Sequence, residues 1–564
     1  MTSTAAALVD TLEELGVEYV FGYPGGRVIE LLEHIPESEV DLVRPRDERE
    51  ASVMAEVHGR LTGTPGVLAG QGPWIGSLGL IGQMEARLSS SPMVVLTEAS
   101  ERGEYSTLAP YQQARGDYGG FSLPSILDGV TKEWWFPRTP IETLRSTQLA
   151  FKHAVADRPG PTAVILDGDA ITADVPADPT PPAWDAREQA RTWDAAPTAS
   201  DVAAAVDALE AANRPVIIAG NGVHAAQAYD ELAAVADAYD CVVVASYLGK
   251  STYPETEDRA AGVVGSFGHE GANRLVSEAD TLLVVGCRLN PMDTNWQAPD
   301  FIRPDEQMIV HADVDTRNAG WVYPADVGLI GDAKASLEAL AEAGGAENGW
   351  APERAADARD WFTAPECEDD SAPIKPQRAA KEIQAVVDDE TIVTADSGNN
   401  RFWLLYYLQT PAVRTYFGSG GVGGMGWANP AAVSAALTTG KDVIAVAGDG
   451  GFAMTMNSVE TAVEYGVAPT FVVLNDTSLG MVRQMQGERE IAGVEFHDTD
   501  FVKAAEAFGA VGTRVTAPDE FADALAEGKA ADVPHVIDVR IDREEDMAET
   551  LASSFYESIG GLHE

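Results

Sequence analysis

Short apolar runs recur along this chain, and each is followed by a longer stretch with the pattern of a helix. Nine of these runs are GVLAG, MVVLT, TAVILD, PVIIAG, CVVVAS, TLLVVGC, TIVTAD, DVIAVAG and TFVVLN. Because nearly all of their residues are apolar, both faces of each strand should be buried. This is typical of parallel sheets that helices cover on both sides. Strands that alternate with helices in this way predict doubly wound α/β domains.

Two stretches rich in proline and acidic residues, 173–200 and 344–377, interrupt this alternation. Such stretches are typical of linkers, and 564 residues are too many for a single core. We therefore predict three doubly wound parallel-sheet domains, at residues 1–172, 198–343 and 376–545.

The charge balance excludes several classes of partner. The chain has 38 basic and 89 acidic residues, a formal net charge of −51, so it repels nucleic acid and anionic membranes. The acidic residues are dispersed along a chain with clear apolar periodicity, which argues against disorder. An acidic coat on a globular core suggests a halophilic protein, because very high salt screens the repulsion between surface charges.

Membrane insertion and secretion are not expected from the sequence. No uninterrupted apolar run approaches roughly 18 residues, and the N-terminal segment MTSTAAALVDTLEELGVEYVFG lacks a basic region ahead of an apolar one. Cys241, Cys287 and Cys367 lie far apart, as in a cytoplasmic protein without a disulfide framework.

Two segments of the chain share one plan. VLAGQGPWIGSLGLIGQMEARLSSSPMVVLT and VIAVAGDGGFAMTMNSVETAVEYGVAPTFVVLN each contain a strand, a Gly-x-Gly turn, a helix, a proline and a strand. The first and third domains would then share one topology, although any two βαβ units look alike to this degree. Asp449 and Asn475 of the third domain correspond to Gln71 and Thr97 of the first, so only the third carries hard oxygen ligands.

Asp449 lies in a Gly-Asp-Gly turn after one predicted strand, and Asn475 ends the next, 26 positions later. Ligands of parallel sheets bind beyond the carboxyl ends of the strands, so these two side chains can converge. A carboxylate and an amide oxygen suit Mg²⁺, which takes its other ligands from water and phosphate. Gly448, Gly450 and Gly451 let main-chain N–H groups approach that phosphate at the beginning of the next helix. Gly-Asp-Gly alone would be an ordinary turn, and its pairing with Asn475 favours a metal–diphosphate site.

This pair of motifs resembles the cofactor-binding motif of thiamine-diphosphate enzymes. GSGGVGGMGWANPAA (418–432), NDTSLGMVRQMQ (475–486) and GVEYVFGYPGGRVIELLEHI (16–35) are similar to segments of the acetolactate synthase large, catalytic subunit. The resemblance covers nearly the whole chain. It implies the three-domain fold of that family, thiamine diphosphate and Mg²⁺ as cofactors, and a part in branched-chain amino acid biosynthesis.

The resemblance also implies roles for individual residues. Asp449, Asn475 and the main-chain carbonyl of Thr477 would bind Mg²⁺. Met425 matches the bulky apolar residue that holds the cofactor in its bent conformation, and the alternative is that it fills the core. The other positions that match cofactor-contacting segments are Pro24, Asn399, Asn400, Gly424, Gly448, Gly450, Gly451, Gly480 and Met481.

The segment RPRDEREASVMAEVHGRLTG (44–63) resembles the part of the family that carries the catalytic glutamate. Its register, fixed by the MAE and RLTG matches, assigns that role to Glu48, which would hydrogen-bond the pyrimidine ring of the cofactor. A register shifted by one or two residues would select Asp47 or Glu50 instead, and any single acid of this chain could also be a surface residue.

The resemblance further concerns partners and a second cofactor. In this family the glutamate and the diphosphate site come from different subunits, which implies a homodimer or a homotetramer. A regulatory subunit is a further partner that the resemblance leaves open. The middle domain of acetolactate synthases holds a structural FAD, but the corresponding segment here reads CRLNPMDTNWQAP from Cys287 onward. That departure leaves FAD open as well.

The implied reaction is decarboxylation and carboligation of a 2-oxo acid, pyruvate in the first place, which makes the protein a transferase. Some segments depart from the family pattern: AGQGPWIGS (69–77) with Trp74, YQQARGDYGGF (111–121), and Asn399-Asn400 in place of Gln-His. These departures keep another 2-oxo acid decarboxylase or acyltransferase as an alternative. A non-catalytic cofactor-binding protein is disfavoured, because Glu48 occurs together with the metal-binding motif.

Overall fold

The parallel sheets expected from the apolar runs are present in a computed structural model, which describes residues 2–99, 111–180, 182–359, 364–486 and 489–547. Within these residues the strands form three six-stranded sheets, and every pairing between named strands is parallel. Each of the nine apolar runs contains a strand, and helices separate most of the strands. The prediction of doubly wound α/β domains is therefore confirmed.

The strands of the first sheet are β1 (Tyr19–Gly22), β2 (Asp41–Val43), β3 (Gly66–Gly70), β4 (Met93–Glu98), β5 (Glu133–Trp135) and β6 (Pro161–Leu166). They lie in the order β2-β1-β3-β4-β6-β5. The described helices around them are Thr4–Glu14, Ile29–Leu32, Glu48–Thr62, Gly72–Ile75, Leu80–Ser89, Leu123–Val130, Pro140–Val155, Gly168–Thr172 and Ala186–Ala190, with 3₁₀ turns at Gly26–Val28 and Ile35–Glu37.

The strands of the second sheet are β7 (Pro215–Ala219), β8 (Val242–Ala245), β9 (Ala260–Val263), β10 (Thr281–Val285), β11 (Met308–Asp313) and β12 (Val327–Ile330). They lie in the order β12-β11-β10-β7-β8-β9. The described helices here are Ala199–Glu210, Asn221–Ala225, Tyr229–Ala238, Glu270–Glu278, Ala333–Ala343 and Ala351–Asp357, with 3₁₀ turns at Tyr247–Gly249 and Pro365–Glu368.

The strands of the third sheet are β13 (Thr391–Ala395), β14 (Tyr416–Gly418), β15 (Asp442–Gly448), β16 (Thr470–Asn475), β17 (Val511–Val515) and β18 (His535–Arg540). They lie in the order β14-β13-β15-β16-β18-β17. The described helices here are Pro376–Val386, Asn399–Tyr407, Ala428–Thr439, Asp449–Met454, Ser458–Tyr465, Gly480–Gln486, Phe501–Phe508 and Pro518–Lys529.

The first and third sheets have the same strand order, so the topology shared by these two parts of the chain is confirmed. In both sheets the second strand lies on one side of the first strand and the third strand on the other. The sequence of connections therefore reverses between β1 and β3, and again between β13 and β15. Ligands of open α/β sheets bind at the carboxyl ends of the strands beside such a reversal.

The described residues form two compact units. One contains the first sheet together with Gly420–Gly423 and Val433–Thr439, and the other contains the second and third sheets with Gly424–Ala432. In the part of the chain that the structure describes, no helix is both long and apolar enough to cross a membrane.

An ion pair lies buried between the second-sheet and third-sheet parts of the second unit. Lys250 is 1% exposed, and its Nζ lies 2.8 and 2.6 Å from the two carboxylate oxygens of Glu255. Oε2 of Glu255 also accepts hydrogen bonds from the main-chain N–H and the hydroxyl of Thr410. A buried carboxylate with this many donors is stable only while its cation is present, because an isolated charge is poorly solvated in the protein interior.

We predict that Lys250→Met destabilises the protein by about 3–5 kcal/mol, because it leaves Glu255 as an unpaired buried charge. The measurement is a urea titration at fixed KCl concentration, followed by tryptophan fluorescence. Lys334→Met is the control, since Lys334 is half-exposed and pairs with Glu231 at 3.2 Å, a contact worth about 1 kcal/mol or less. Equal losses in the two variants would contradict the importance of the buried pair.

Candidate functional site

A pocket opens at the carboxyl ends of β13, β15 and β16, beside the reversal in the third sheet. Its empty volume is about 730 Å³ when the open mouth is included. All of its lining residues belong to the second compact unit. The predicted site residues that line it are Asn399, Asn400, Met425, Gly448, Asp449, Gly450, Gly451, Gly480 and Met481.

The register of the third sheet brings Asp449 next to Asn475. Gly448, the last residue of β15, pairs with Leu474 in β16, so the residues that follow them are also neighbours. Both side chains are almost completely buried, with 5% of Asp449 and 2% of Asn475 exposed. The convergence expected from the sequence thus follows from parallel pairing. Asn475 itself lies just behind the pocket wall, which Leu474 and Asp476 line on either side of it.

Asp449 lies in a setting that disfavours its negative charge. Burial, followed by the charge of the nearby Asp476, raises the pKa of Asp449 to about 7. Burial also raises the pKa of Asp476, whose Oδ1 accepts the main-chain N–H of Ser478 at 3.0 Å. Two neighbouring carboxylates at one pocket need a compensating positive charge when both are ionised. A divalent cation in the pocket would supply it.

The amide of Asn475 is held on both sides. Its Nδ2 donates to Oδ1 of Asp538 at 2.8 Å, and its Oδ1 accepts the main-chain N–H of Thr477 at 3.1 Å. Thr477 has a φ of 57°, a left-handed conformation that is rare for a β-branched residue. Such strain is found mainly at functional sites, and here it falls on the residue whose carbonyl is the predicted third ligand.

Two glycines of the Gly-Asp-Gly-Gly turn lie close to neighbouring side chains. A Cβ on Gly450 would lie 2.7 Å from the ring of Phe496 and 3.2 Å from the Cε of Met425, and a Cβ on Gly451 would lie 2.0 Å from Asp396 Oδ2. The helix that begins at Asp449 has only six residues. Its dipole is therefore weak. Individual N–H groups in the turn would contribute more to anion binding than the helix dipole does.

Met425 is part of a turn that a buried carboxylate organises. Asp396, directly after β13, accepts the main-chain N–H groups of Gly426, Trp427 and Ala428 at 2.9, 2.8 and 3.2 Å. Asp396 is fully buried, and burial raises its pKa although these three donors oppose the shift. Three charge-assisted hydrogen bonds fix the main chain next to Met425 and the start of helix Ala428–Thr439. The side chain of Met425 lines the pocket instead of filling the core.

The two asparagines at the start of helix Asn399–Tyr407 both line the pocket but have different partners. Nδ2 of Asn400 donates to the main-chain carbonyls of Asp396 and Val446, at 2.8 and 3.4 Å. Nδ2 of Asn399 donates to Oε1 of Gln484 at 2.7 Å. The side-chain amide nitrogens of both asparagines thus donate hydrogen bonds within the protein.

Glu48 lies in the first compact unit, at the first residue of helix Glu48–Thr62. Asp47 is the N-cap of this helix and accepts the main-chain N–H of Glu50 at 3.0 Å. The Cγ of Glu48 is 3.7 Å from the position of a Cβ on Gly70, the last residue of β3. Burial, together with a smaller effect of Asp47, raises the pKa of Glu48 against the effect of its own main-chain hydrogen bond. A raised pKa suits a group that exchanges a proton near neutral pH.

Some of the predicted residues are not among those that line this pocket. Pro24 is exposed and follows β1 in the first compact unit. Gly424 precedes Met425 and accepts a hydrogen bond from the hydroxyl of Ser419, but it does not line the pocket. Among the described residues, no group of three His, Cys, Asp or Glu side chains converges as a metal site. The predicted ligand set consists of one carboxylate, one amide and one main-chain carbonyl. It therefore does not belong to the class of sites built from three such side chains.

Among the described residues, the corresponding strand ends of the first and second sheets make different contacts. In the first, the hydroxyl of Thr97 donates to the carbonyl of Gly70, and Gln71 donates to Gln112. In the second, the N–H groups of Gly220 and Gly222 donate to the carbonyls of Val285 and Gly286 at 2.8 and 2.9 Å. The N–H groups at these two positions of the Gly-x-Gly turn are therefore already used within the protein.

Four residues of the site were not identified from the sequence: Asp396, Asp476, Gln484 and Asp538. Three of them are acidic, and in a chain with 89 acidic residues their identity gives no signal. Asp396 could have been suspected because it ends the apolar run TIVTA directly beside the reversal in the sheet.

Comparisons with known proteins agree with this geometry. Three family models match the chain: the N-terminal TPP binding domain of thiamine pyrophosphate enzymes at residues 2–118, their central domain at 202–340, and their C-terminal TPP binding domain at 396–539. The C-terminal match begins at Asp396 and includes all the residues that line the pocket except Pro376, Ile541, Asp542 and Glu545.

Curated relatives match over almost the full length of the chain. A probable acetolactate synthase large subunit of Methanocaldococcus jannaschii is 31% identical over 95% of this chain and 92% of its own. The acetolactate synthase isozyme 3 large subunit of Escherichia coli is 30% identical, over 93% and 92%. The acetolactate synthase large subunit of Lactococcus lactis is 29% identical, over 100% and 96%. The chain belongs to the thiamine pyrophosphate enzyme family that includes the acetolactate synthase large subunits.

Proposed function

We propose that this protein is a thiamine-diphosphate-dependent carboligase that converts pyruvate to acetolactate with loss of carbon dioxide. The observation that carries the proposal is the pocket of the third sheet. It combines a buried carboxylate of raised pKa, a glycine turn in which Gly451 leaves no room for a side chain, and Met425. The acetolactate synthase names of the relatives support the choice of reaction.

The residues of this pocket fit Mg²⁺ and a diphosphate. Asp449, Asn475 and the carbonyl of Thr477 would hold the cation, and Gly448, Gly450 and Gly451 would face the phosphate oxygens with their main chain. Asn399, Asn400, Gly480 and Met481 line the pocket around them. Pro24 and Gly424 are further proposed contacts of the cofactor. Thiamine diphosphate, when bound, supplies the electron sink that decarboxylation of a 2-oxo acid requires.

Two side chains of this chain have proposed roles beyond holding the diphosphate. Glu48 would hold a proton at the pyrimidine ring nitrogen of the cofactor, since its raised pKa reduces the cost of protonation near neutral pH. Met425 would press against the cofactor and fix its conformation, because its turn is anchored by Asp396.

We further propose a homodimer or homotetramer, in which Glu48 and the diphosphate site come from different subunits. Relatives named large subunits support a smaller regulatory subunit as a second partner. The domain division at 1–172, 198–343 and 376–545, the cytoplasmic location and the adaptation to high salt belong to the same proposal. The free, buried cysteines support the cytoplasmic location, and the net charge of −51 supports the adaptation to high salt.

A second candidate is conversion of another 2-oxo acid. It is favoured by one contact between the two loops that depart from the family pattern. Gln71 donates to Gln112 at 3.0 Å and accepts a hydrogen bond from Trp74 Nε1 at 3.2 Å. These loops meet beyond the carboxyl end of β3, where they can alter the shape of a substrate site.

Product analysis tests the proposed reaction. The protein is incubated with pyruvate, thiamine diphosphate and Mg²⁺ in concentrated KCl, and we expect acetolactate as the main product. Acetaldehyde would contradict carboligation and indicate a decarboxylase. If cofactor binds but pyruvate is not consumed, the proposal for pyruvate fails, and a panel of other 2-oxo acids would then test the second candidate.

Replacing the proposed catalytic acid separates binding from turnover. We expect Glu48→Gln to bind thiamine diphosphate as wild type does, while kcat falls by about 10²–10⁴-fold because the proton-holding carboxyl is lost. Binding is followed by fluorescence quenching and turnover by product analysis. Glu50→Gln is the matched control, since Glu50 is buried in the same helix and should keep most of the turnover. The reverse result would mean that the register of residues 44–63 is wrong.

The raised pKa of Asp449 predicts a pH-dependent change in stability. In cation-free protein the folded state binds this proton more tightly than the unfolded state, so wild type loses stability as pH rises through about 7. Asp449→Asn avoids that loss, and its melting temperature should exceed that of wild type increasingly between pH 5 and about 8.

Thermal unfolding at several pH values and constant salt measures this effect. Asp442→Asn, which removes an exposed acid at the beginning of the same strand, controls for the loss of one negative charge. Mg²⁺ with thiamine diphosphate should reverse the order by stabilising wild type only. If the difference in melting temperature between Asp449→Asn and wild type does not vary with pH, the raised pKa of Asp449 is contradicted.

A further inference from the structure

Three side chains from adjacent strands form a continuous row behind the pocket. Asn475 ends β16, Asp538 lies in β18, and Arg514 lies in β17. Asp538 Oδ1 accepts from Nδ2 of Asn475 at 2.8 Å, and its Oδ2 accepts from Nε of Arg514 at 2.7 Å. The row leads from the pocket wall to a half-exposed arginine, so both carboxylate oxygens of Asp538 have a charged or polar donor.

The position of Asp538 is otherwise suited to an apolar residue. Asp538 is completely buried, as are its neighbours Val536, Ile537 and Val539 in the same strand. Burial costs the carboxylate of Asp538 its hydration, and its half-exposed partner Arg514 contributes little to stability in return. Stability alone therefore does not explain why a carboxylate faces Asn475 at this point.

The contact decides which atom of the Asn475 amide is available to a ligand. The oxygen and nitrogen of an amide have almost the same shape, and only hydrogen bonds distinguish their two orientations. An ionised carboxylate accepts but cannot donate, so Asp538 requires the NH₂ group of Asn475 to face it. The main-chain N–H of Thr477 selects the same orientation, since it donates to Oδ1 at 3.1 Å. Only the oxygen can bind a cation.

We propose that Asp538 is a positioning residue for the cation: through the NH₂ group of Asn475 it keeps the amide oxygen directed toward the metal position, and Arg514 fixes Asp538 in turn. This inference rests on the proposed function, because it takes Asn475 as a Mg²⁺ ligand. Partners that orient metal ligands in this way commonly change metal affinity by about 10–100-fold when they are replaced.

Asp538→Asn should invert the arrangement without changing its shape. The donors of Arg514 would draw the new amide oxygen toward themselves, which turns the new NH₂ group toward Asn475. Asn475 would then accept with its oxygen and present its NH₂ group to the cation, with loss of its hydrogen bond from the main-chain N–H of Thr477. We expect the Mg²⁺ concentration for half-maximal binding of thiamine diphosphate to rise about 10–100-fold.

The double variant Asn475→Asp with Asp538→Asn should restore binding. Its residue 475 has two equivalent oxygens, so one can accept from the new amide while the other binds the cation. We expect half-saturation by Mg²⁺ to return to near the wild-type value. A mere loss of packing at Asp538 would not be repaired by a second substitution at Asn475, so rescue separates positioning from general destabilisation.

The experiment is a Mg²⁺ titration at fixed thiamine diphosphate in concentrated KCl, followed by tryptophan fluorescence, since Trp403 lines the pocket. Asp240→Asn is the control. Asp240 is also buried, pairs with Arg259, and accepts main-chain N–H groups, but it lies in the second-sheet part. This variant should keep the wild-type half-saturation. Mn²⁺ binding followed by electron paramagnetic resonance gives a second readout that does not depend on turnover.

Each outcome either supports or overturns the positioning role of Asp538. Wild-type Mg²⁺ affinity in a folded Asp538→Asn protein would overturn the positioning role, as would a double variant no better than Asp538→Asn. If Asp538→Asn does not fold, the double variant carries the test alone, and Mg²⁺ binding more than about tenfold weaker than wild type overturns the proposal. Cofactor binding by wild type that does not depend on Mg²⁺ would overturn the cation site itself, and the positioning role with it.

Discussion

Parallel pairing of β15 with β16 is the constraint on which the candidate site depends. It places Gly448 opposite Leu474, and the next residue on each strand, Asp449 and Asn475, then falls at the same edge of the sheet. In an antiparallel arrangement the carboxyl ends of the two strands would lie at opposite edges of the sheet, and these two side chains would not meet. The glycine turn and the short helix directly follow β15, and the strained Thr477 follows the end of β16.

Buried carboxylates organise the main chain on both sides of this protein's glycine-rich segment. Asp396 accepts three N–H groups from residues 426–428, and in the first compact unit Glu85 accepts three from residues 420–422. Glycine-rich chain has little conformational preference of its own, so fixed acceptors must supply its order. The same chemistry recurs at Asp538, which acts on a side-chain amide. Acidic residues in this chain thus have two separate uses, a dispersed surface charge and a few buried anchors.

The fold could be anticipated because its signal is local. Runs such as TFVVLN and DVIAVAG are apolar on both faces, and only a covered parallel sheet buries both. Strands such as Asp41–Val43 and Tyr416–Gly418 gave weaker signals because they are three-residue edge strands. His535–Arg540 was missed because Asp538 interrupts its apolar run, and that same aspartate accepts the hydrogen bond from Asn475. The irregularity that hid the strand is thus a feature of the site.

The sequence by itself determined the α/β class, the shared plan of the first and third sheets, and the residue types at the ends of β15 and β16. It did so because strand periodicity, glycine turns and ligand chemistry depend on residues close together in the chain. Only the tertiary structure decided that Asp396 lies next to Gly451, that burial and then Asp476 raise the pKa of Asp449, and that Asp538 accepts a hydrogen bond from the amide of Asn475. These contacts join residues that are far apart in the chain, and their energies arise from burial and hydrogen bonding that no local pattern encodes.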